Sequence, residues 1–143
     1  MTYTAEAYFK HDHSDKPIIV GTPEQMDAVI DALLAEPFDN SVAALYIRER
    51  PLNTAGVPDH ELLIAVNGID QVGALCYRGE VTSTAKGAAS KYDDVVYYYM
   101  GSDRPFPRDS DLPLDTIRQA AREFLATGGE RPSNLQWQDL STP

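Results

Sequence analysis

The sequence contains one cysteine, Cys76, so no disulfide can close within the chain, and a reducing cytoplasm is the expected compartment. No apolar run approaches the length of a membrane span. The N-terminal stretch "MTYTAEAYFKHDHSD" lacks the basic start and apolar segment of a signal peptide. Basic residues are scarce, with 12 Lys and Arg against 22 Asp and Glu, a net charge of −10. A chain so charged is repelled by phosphate backbones and anionic lipid, so neither nucleic acid nor membrane is an expected partner, while a basic protein surface would be attracted. There is no G-x-S-x-G elbow, no P-loop and no dinucleotide fingerprint. Repeats, low-complexity tracts and long linkers are also missing, and 143 residues suffice for one core only.

What remains offers little chemistry. The histidines are His11, His13 and His60. The first two stand in "HDHSD", whose i, i+2 imidazoles and carboxylates could ligate a divalent metal. No second cluster accompanies them, and a solvated loop is the better reading. Cys76 lies inside the apolar run "GALCYRG", where a free cysteine behaves as a small buried hydrophobe. Asp93 and Asp94 are adjacent, which seldom lets two carboxylates face one another. No catalytic residue, metal or cofactor is assigned on these patterns.

The folding signals are stronger. "TYTAEAYF" (residues 2–9) and "PIIV" (residues 17–20) read as short strands. In "TPEQMDAVIDALLAEP", Thr22 suits an N-cap, Pro23 the first helical position and Gln25 the returning side of a capping box. Met26, Val29, Ile30, Leu33 and Leu34 form one apolar stripe, and Pro37 stops the helix. "SVAALYIRE" (41–49) and "HELLIAVN" (60–67) are apolar enough for central strands, and Asn67-Gly68 predicts a tight hairpin into "IDQVGALCYRG". Residues 80–90 and 101–113 read as loops around the strand "DVVYYYM", on which Tyr97 and Tyr99 share one face and Tyr98 the other. A last helix starts near Pro113, is apolar at Leu114, Ile117, Ala121, Phe124 and Leu125, and ends at Gly128-Gly129. "NLQWQ" can then return as a short strand, with Trp137 clasping the C-terminus. The expected fold is α+β, residues 1–143 forming a single domain. It has an antiparallel meander of about six strands flanked by two amphipathic helices.

Two charged features stand out against this frame. Glu24, Asp27 and Asp31 form a single-sign stripe on the outer face of the first helix, with no Lys or Arg between Lys16 and Arg48. Asp103, Asp109, Asp111 and Asp115 form a second acidic region, interrupted by Arg104 and Arg108.

"GALCYRG", "VVYYYMG", the proline-containing start of the last helix and "REFLATGGERPSNLQWQ" (residues 122–138) together resemble the immunity protein 1 family of bacterial polymorphic toxin systems. The resemblance runs from about the third strand to the C-terminal end. It implies an α+β protein that stays in the cytoplasm of the producing cell, binds a co-encoded secreted toxin, commonly a nucleic-acid deaminase, and blocks it. A toxin domain that grips nucleic acid needs a basic concave surface, which an acidic inhibitor could cover. On this reading the partner is the cognate toxin domain. The candidate contacts are Glu24, Asp27, Asp31, Tyr97, Tyr99 and Asp109. The alternative is a small enzyme or ligand-binding protein with a pocket built from the tyrosine strand, Asp93, Asp94 and His60.

Overall fold

The computed structural model describes residues 2–139. Two helices carry the predicted signals. Helix α1 (Pro23–Leu34) is capped by the Thr22 hydroxyl, which accepts from the Gln25 amide at 3.1 Å. The Gln25 side chain reaches back one residue further than a regular capping box, accepting from the Gly21 amide at 2.6 Å. Helix α2 (Leu114–Ala126) begins directly after Pro113. Their apolar stripes lie on one face of a twisted antiparallel sheet.

That sheet is larger than a six-stranded meander. It contains β1 (Ala5–Tyr8), β2 (Ile18–Val20), β3 (Val42–Ile47), β4 (Glu61–Asn67), β5 (Val72–Arg78), β6 (Thr82–Ala85) and, after a gap in sequence, β9 (Leu112–Pro113) and β10 (Trp137–Asp139). The spatial order is β10-β6-β5-β4-β3-β1-β2, with β9 pairing against β5. The tyrosine strand β7 (Val95–Tyr99) does not join it. It pairs with β8 (Ser102–Phe106) in a separate hairpin. The α+β fold and its two helices are as expected; the additional strands β6, β8 and β9 fall within segments read as loops. Their polar or proline-bearing sequences hide them: "TSTA" has no apolar alternation, and Pro105 is tolerated in β8 because that strand keeps one unpaired edge.

The hairpin lies over the sheet face opposite the helices, which makes three layers. Alternation along the central strands divides the core accordingly. Ala43, Leu45, Leu62, Ile64 and Leu75 face the helices, whereas Ala44, Leu63, Ala65, Ala74 and Cys76 face the hairpin. Burial on both faces explains why β3, β4 and β5 read as continuous apolar runs instead of alternating ones. On the hairpin side, the small side chains of Ala44, Ala65 and Ala74 leave room for the larger Tyr97 and Phe106 rings, which meet edge to face at 5.5 Å.

Turn chemistry fixes the hairpin. Tyr99 pairs with Ser102, leaving Met100 and Gly101 as a two-residue connection with φ of 50° and 85°, the pattern of a type I′ turn. A short 3₁₀ turn (Phe38–Asn40) stitches it to the sheet: Ser41 N donates to Tyr98 O at 2.8 Å, Gly101 N to Asp39 O at 2.9 Å and Met100 N to Asn40 Oδ1 at 3.2 Å. The Asn67-Gly68 pair, by contrast, does not make a two-residue turn. Asn67 pairs with Val72, so residues 68–71 form the connection, and Gln71 takes the positive φ of 58°. The Asn67 side chain accounts for the difference. Its Oδ1 accepts from the amides of Ile69 and Asp70 at 3.1 and 3.0 Å, which stabilises the wider loop.

The double glycine ends α2 in a Schellman arrangement, Gly129 N donating to Phe124 O at 2.9 Å and Gly128 N to Leu125 O at 3.3 Å. The chain then returns as β10, paired with β6 through Trp137 opposite Ala85. Trp137 is half-buried; its Nε1–H donates to Pro132 O at 2.8 Å, its ring meets Tyr77 edge-on, and the Arg131 guanidinium sits 5.3 Å above it.

Two stability outcomes follow. Because the Trp137 ring is only partly buried, Trp137→Ala should cost about 2 kcal/mol in urea denaturation, below the range for a fully buried aromatic. Gly129→Ala should cost more, about 2–4 kcal/mol, since the left-handed backbone (φ +97°) is compounded by a new Cβ 2.9 Å from His60 and 3.0 Å from Ile47. Gly101→Ala supplies the control. It has a similar φ of +85° but nothing within 4 Å, and should lose only about 1 kcal/mol. Equal losses at the two glycines would remove the packing role assigned to Gly129.

Candidate protein-binding surface

The acidic stripe of α1 is met from within the fold. Asp27 accepts from Arg122 Nη1 through both carboxylate oxygens at 3.0 Å, and Asp31 accepts from Arg118 Nη2 at 2.6 Å. Both arginines belong to α2, so the missing i, i+4 cations on α1 are supplied by the neighbouring helix. Glu24, exposed at the first turn, lies outside these pairs. The stripe is thus largely a helix–helix electrostatic seam, a relation between residues about ninety apart that periodicity on α1 cannot reveal.

The tyrosine strand also turns inward. Tyr97 is 3% exposed, and its ring belongs to the hairpin-side core; burial pushes its hydroxyl well above the usual phenol range. Tyr99 is half-buried, with the Arg104 guanidinium 5.5 Å over its ring. Asp109 is partly exposed; its carboxylate accepts from Gln138 at 3.2 Å and its backbone carbonyl from Gly87 at 2.7 Å.

The segment expected as a solvated loop is a 3₁₀ turn (His11–Ser14) that leaves His11 exposed and buries His13, and His13 and His60 are structural acceptors. His13 Nδ1 accepts from the amides of Phe9 and Lys10 at 3.0 and 3.1 Å. His60 Nε2 accepts from the Ile47 amide at 2.8 Å, while Nδ1–H donates to Asp59 at 3.0 Å. His60 stacks on Phe124 beneath α2, whereas Asp94 stands on the hairpin side of the sheet, so the set of Asp93, Asp94, His60 and the tyrosines does not assemble. Cys76 is buried, and burial pushes its thiol up, away from the reactive thiolate. Among the described residues no group of three His, Cys, Asp or Glu could hold a metal ion. Among the described residues no helix is long and apolar enough to cross a membrane.

The pocket expected on the tyrosine strand exists in part: Asp94, Tyr97 and Tyr98 line it, but Asp93 and His60 do not. A cleft of about 400 Å³ opens between the β4–β5 loop, the segment entering β7 and the outer side of that strand. Its rim holds Ile69, 90% exposed, with Phe38 at 42% and Tyr92 at 49%. Asp70, Asp94 and Asp111 also line it. Asp70 is satisfied by Lys91 (2.8 Å), the Tyr92 hydroxyl (2.9 Å) and Asn67 (3.0 Å), which hold its carboxyl below the usual range. Burial, aided by nearby Asp70, raises that of Asp111. A further sequence signal is the isoleucine inside a turn, where folding asks for a polar residue. Phe38 and Tyr92 stand in segments that carry no periodic pattern. A second hollow, of about 890 Å³, lies across His60 and is bordered by cations and anions alike, among them Arg50, Asp59, Glu61 and Arg78.

The outward-facing cleft is thus both apolar and acidic. The model of the family described as "Immunity protein Imm1" matches residues 14–139, and the chain belongs to that family. Membership carries a toxin-neutralising immunity role and makes a cognate toxin protein the partner. Comparison with curated proteins gives no match.

The two buried imidazoles make stability depend on pH. Burial lowers the pKa of both, a nearby Lys10 adding to the effect at His13 and the Asp59 carboxylate opposing it at His60. The unfolded chain takes up these protons as pH falls below about 6.5, while the folded chain resists. Stability is therefore full above that value and is lost on acidification. The urea midpoint should drop between pH 7.5 and 5.5, a window above the titration of ordinary carboxylates, and a flat midpoint would show that the imidazoles titrate alike in both states.

Proposed function

We propose that this protein protects the cell that makes it by binding a co-encoded toxin, a nucleic-acid deaminase, in the cytoplasm and covering its active-site cleft. The observation that carries this reading is the net charge of −10 on a member of an immunity family. A domain that handles nucleic acid presents a basic groove, and an acidic protein is both drawn to it and able to exclude the polyanionic substrate. Inhibition on this reading is by occupancy.

With Asp27 and Asp31 engaged by Arg118 and Arg122, the weight of the contact shifts toward the tyrosine-strand side of the molecule, where Tyr99 and Asp109 are candidates. Glu24 and the outer edges of Asp27 and Asp31 contribute to the long-range field. That field acts on the rate of encounter more than on the lifetime of the complex.

Co-expression with the adjacent toxin gene should restore growth, and the purified pair should associate at ~10⁷ M⁻¹s⁻¹ or faster at low salt, slowing steeply as ionic strength rises. Growth arrest despite co-expression, with no complex by calorimetry, would defeat the immunity reading for that toxin. A stable complex whose toxin still deaminates single-stranded DNA or RNA would leave immunity standing and rule out occupancy of the active-site cleft.

A further inference from the structure

The cleft beside β7 combines two features that folding does not require. Its rim exposes large apolar side chains, Ile69 most of all, at a hairpin tip where a polar residue would serve the fold equally well. On its walls, the exposed Asp94 and the partly buried Asp111 make no salt bridge or side-chain hydrogen bond among the described residues, unlike Asp70 beside them. Closing an apolar partner over this site would bury two unpaired carboxylates, which costs more than the apolar contact returns. An acidic partner is repelled. A cation carried on an apolar stem fits both halves of the cleft.

We propose that the cleft seats one arginine side chain from the partner toxin, its stem along Ile69 and Phe38 and its guanidinium between Asp94 and Asp111, against the aromatic wall of Tyr92 and Tyr98. Arginine suits the site better than lysine. Its planar fork can bridge carboxylates and lie on an aromatic face, and it sheds water more readily than an ammonium. Tyr98, on the outward side of β7 and 6.0 Å from Phe38, supplies such a face. A guanidinium there would relieve the raised proton affinity of Asp111 by pairing its charged form. Filled in this way, the cleft is the kind of desolvated aromatic–arginine anchor on which interfaces concentrate their affinity. This inference rests on the immunity reading for the identity of the partner and on the cleft alone for its chemistry.

The test has two arms. In the first, N-acetyl-arginine amide is titrated into the isotopically labelled protein, with the neutral isostere N-acetyl-citrulline amide as control. Amides of residues 67–70 and 92–98 and of Asp111 should shift with arginine and not with citrulline. In the second, the adjacent toxin is titrated against the native protein, Asp94→Asn, and the Asp94→Asn, Asp111→Asn pair. Asp94 is exposed at the start of β7 and its variant keeps the fold; it should weaken binding severalfold, and the pair by about tenfold or more. Toxin affinity unchanged in both variants, or citrulline shifting the same amides as far as arginine, overturns the proposal while immunity stands. A native protein that fails to bind the toxin, yet still takes arginine amide in the cleft, overturns the immunity reading and keeps the guanidinium site.

Discussion

The carbonyl oxygen of Gly129 holds three parts of the molecule in register. It accepts from the Tyr77 hydroxyl at 2.6 Å and from Arg50 Nη1 at 3.0 Å. Arg50 also pairs with Asp59 at 2.9 Å, and Asp59 fixes the tautomer of His60, whose Nε2 can then accept from the Ile47 amide. One carbonyl therefore ties the end of α2 to β5, to the β3–β4 connection and to the β3 backbone. Only a residue free to adopt a positive φ, with no Cβ, can place its oxygen there while lying against His60 and Ile47. Gly128 meets a similar demand from the Tyr3 ring, 2.6 Å from where a Cβ would stand. The glycine stop, the arginine-proline step and the tryptophan that follow it belong to one device, which seats α2 and returns the chain to the edge of the sheet as β10.

What the sequence made legible was what periodicity and local chemistry control. Both helices, the cap at Thr22, the central strands and the return of "NLQWQ" beside the sheet follow from spacing within a few residues. The remainder depends on relations between distant residues. The continuous apolar runs of β3, β4 and β5 mark burial on both faces but not what covers each face; the small side chains of Ala44, Ala65 and Ala74 facing Tyr97 and Phe106 decide where the hairpin goes. The Asn67-Gly68 turn was misjudged for a local reason. The Asn67 side chain competes with the backbone by capping a longer loop.

The same division governs the candidate surface. A stripe of like charge on one helix looks unpartnered only while that helix is considered alone. Arg118 and Arg122 stand on α2, and packing the two helices places them opposite Asp27 and Asp31. Such partly exposed pairs add little to stability, about 0–1 kcal/mol each, but they lower the local field around those carboxylates. Tyr97 is absorbed in a comparable way by the hairpin-side core.

Function in a small acidic binder is then to be sought where the fold has no use for what the sequence supplies. Ile69 stabilises nothing at a hairpin tip, and the neighbouring Asp70 and Gln71 already satisfy the turn, Asp70 through its bonds to Lys91 and Tyr92 and Gln71 through its side chain to the Gly68 carbonyl. Among the described residues Asp94 neither caps a helix nor pairs with a cation, and Asp111 keeps its charge at a disadvantage through burial and, less, through Asp70. Each choice is slightly unfavourable for the free protein. Their convergence on one cleft, on the sheet face opposite the helices, separates binding from folding: the glycine-anchored side maintains the structure, and the hairpin side is left free to answer to a partner. On the proposed reading, an interface that must match a particular toxin can vary at the cleft without disturbing the Gly129 junction on which the rest of the fold depends.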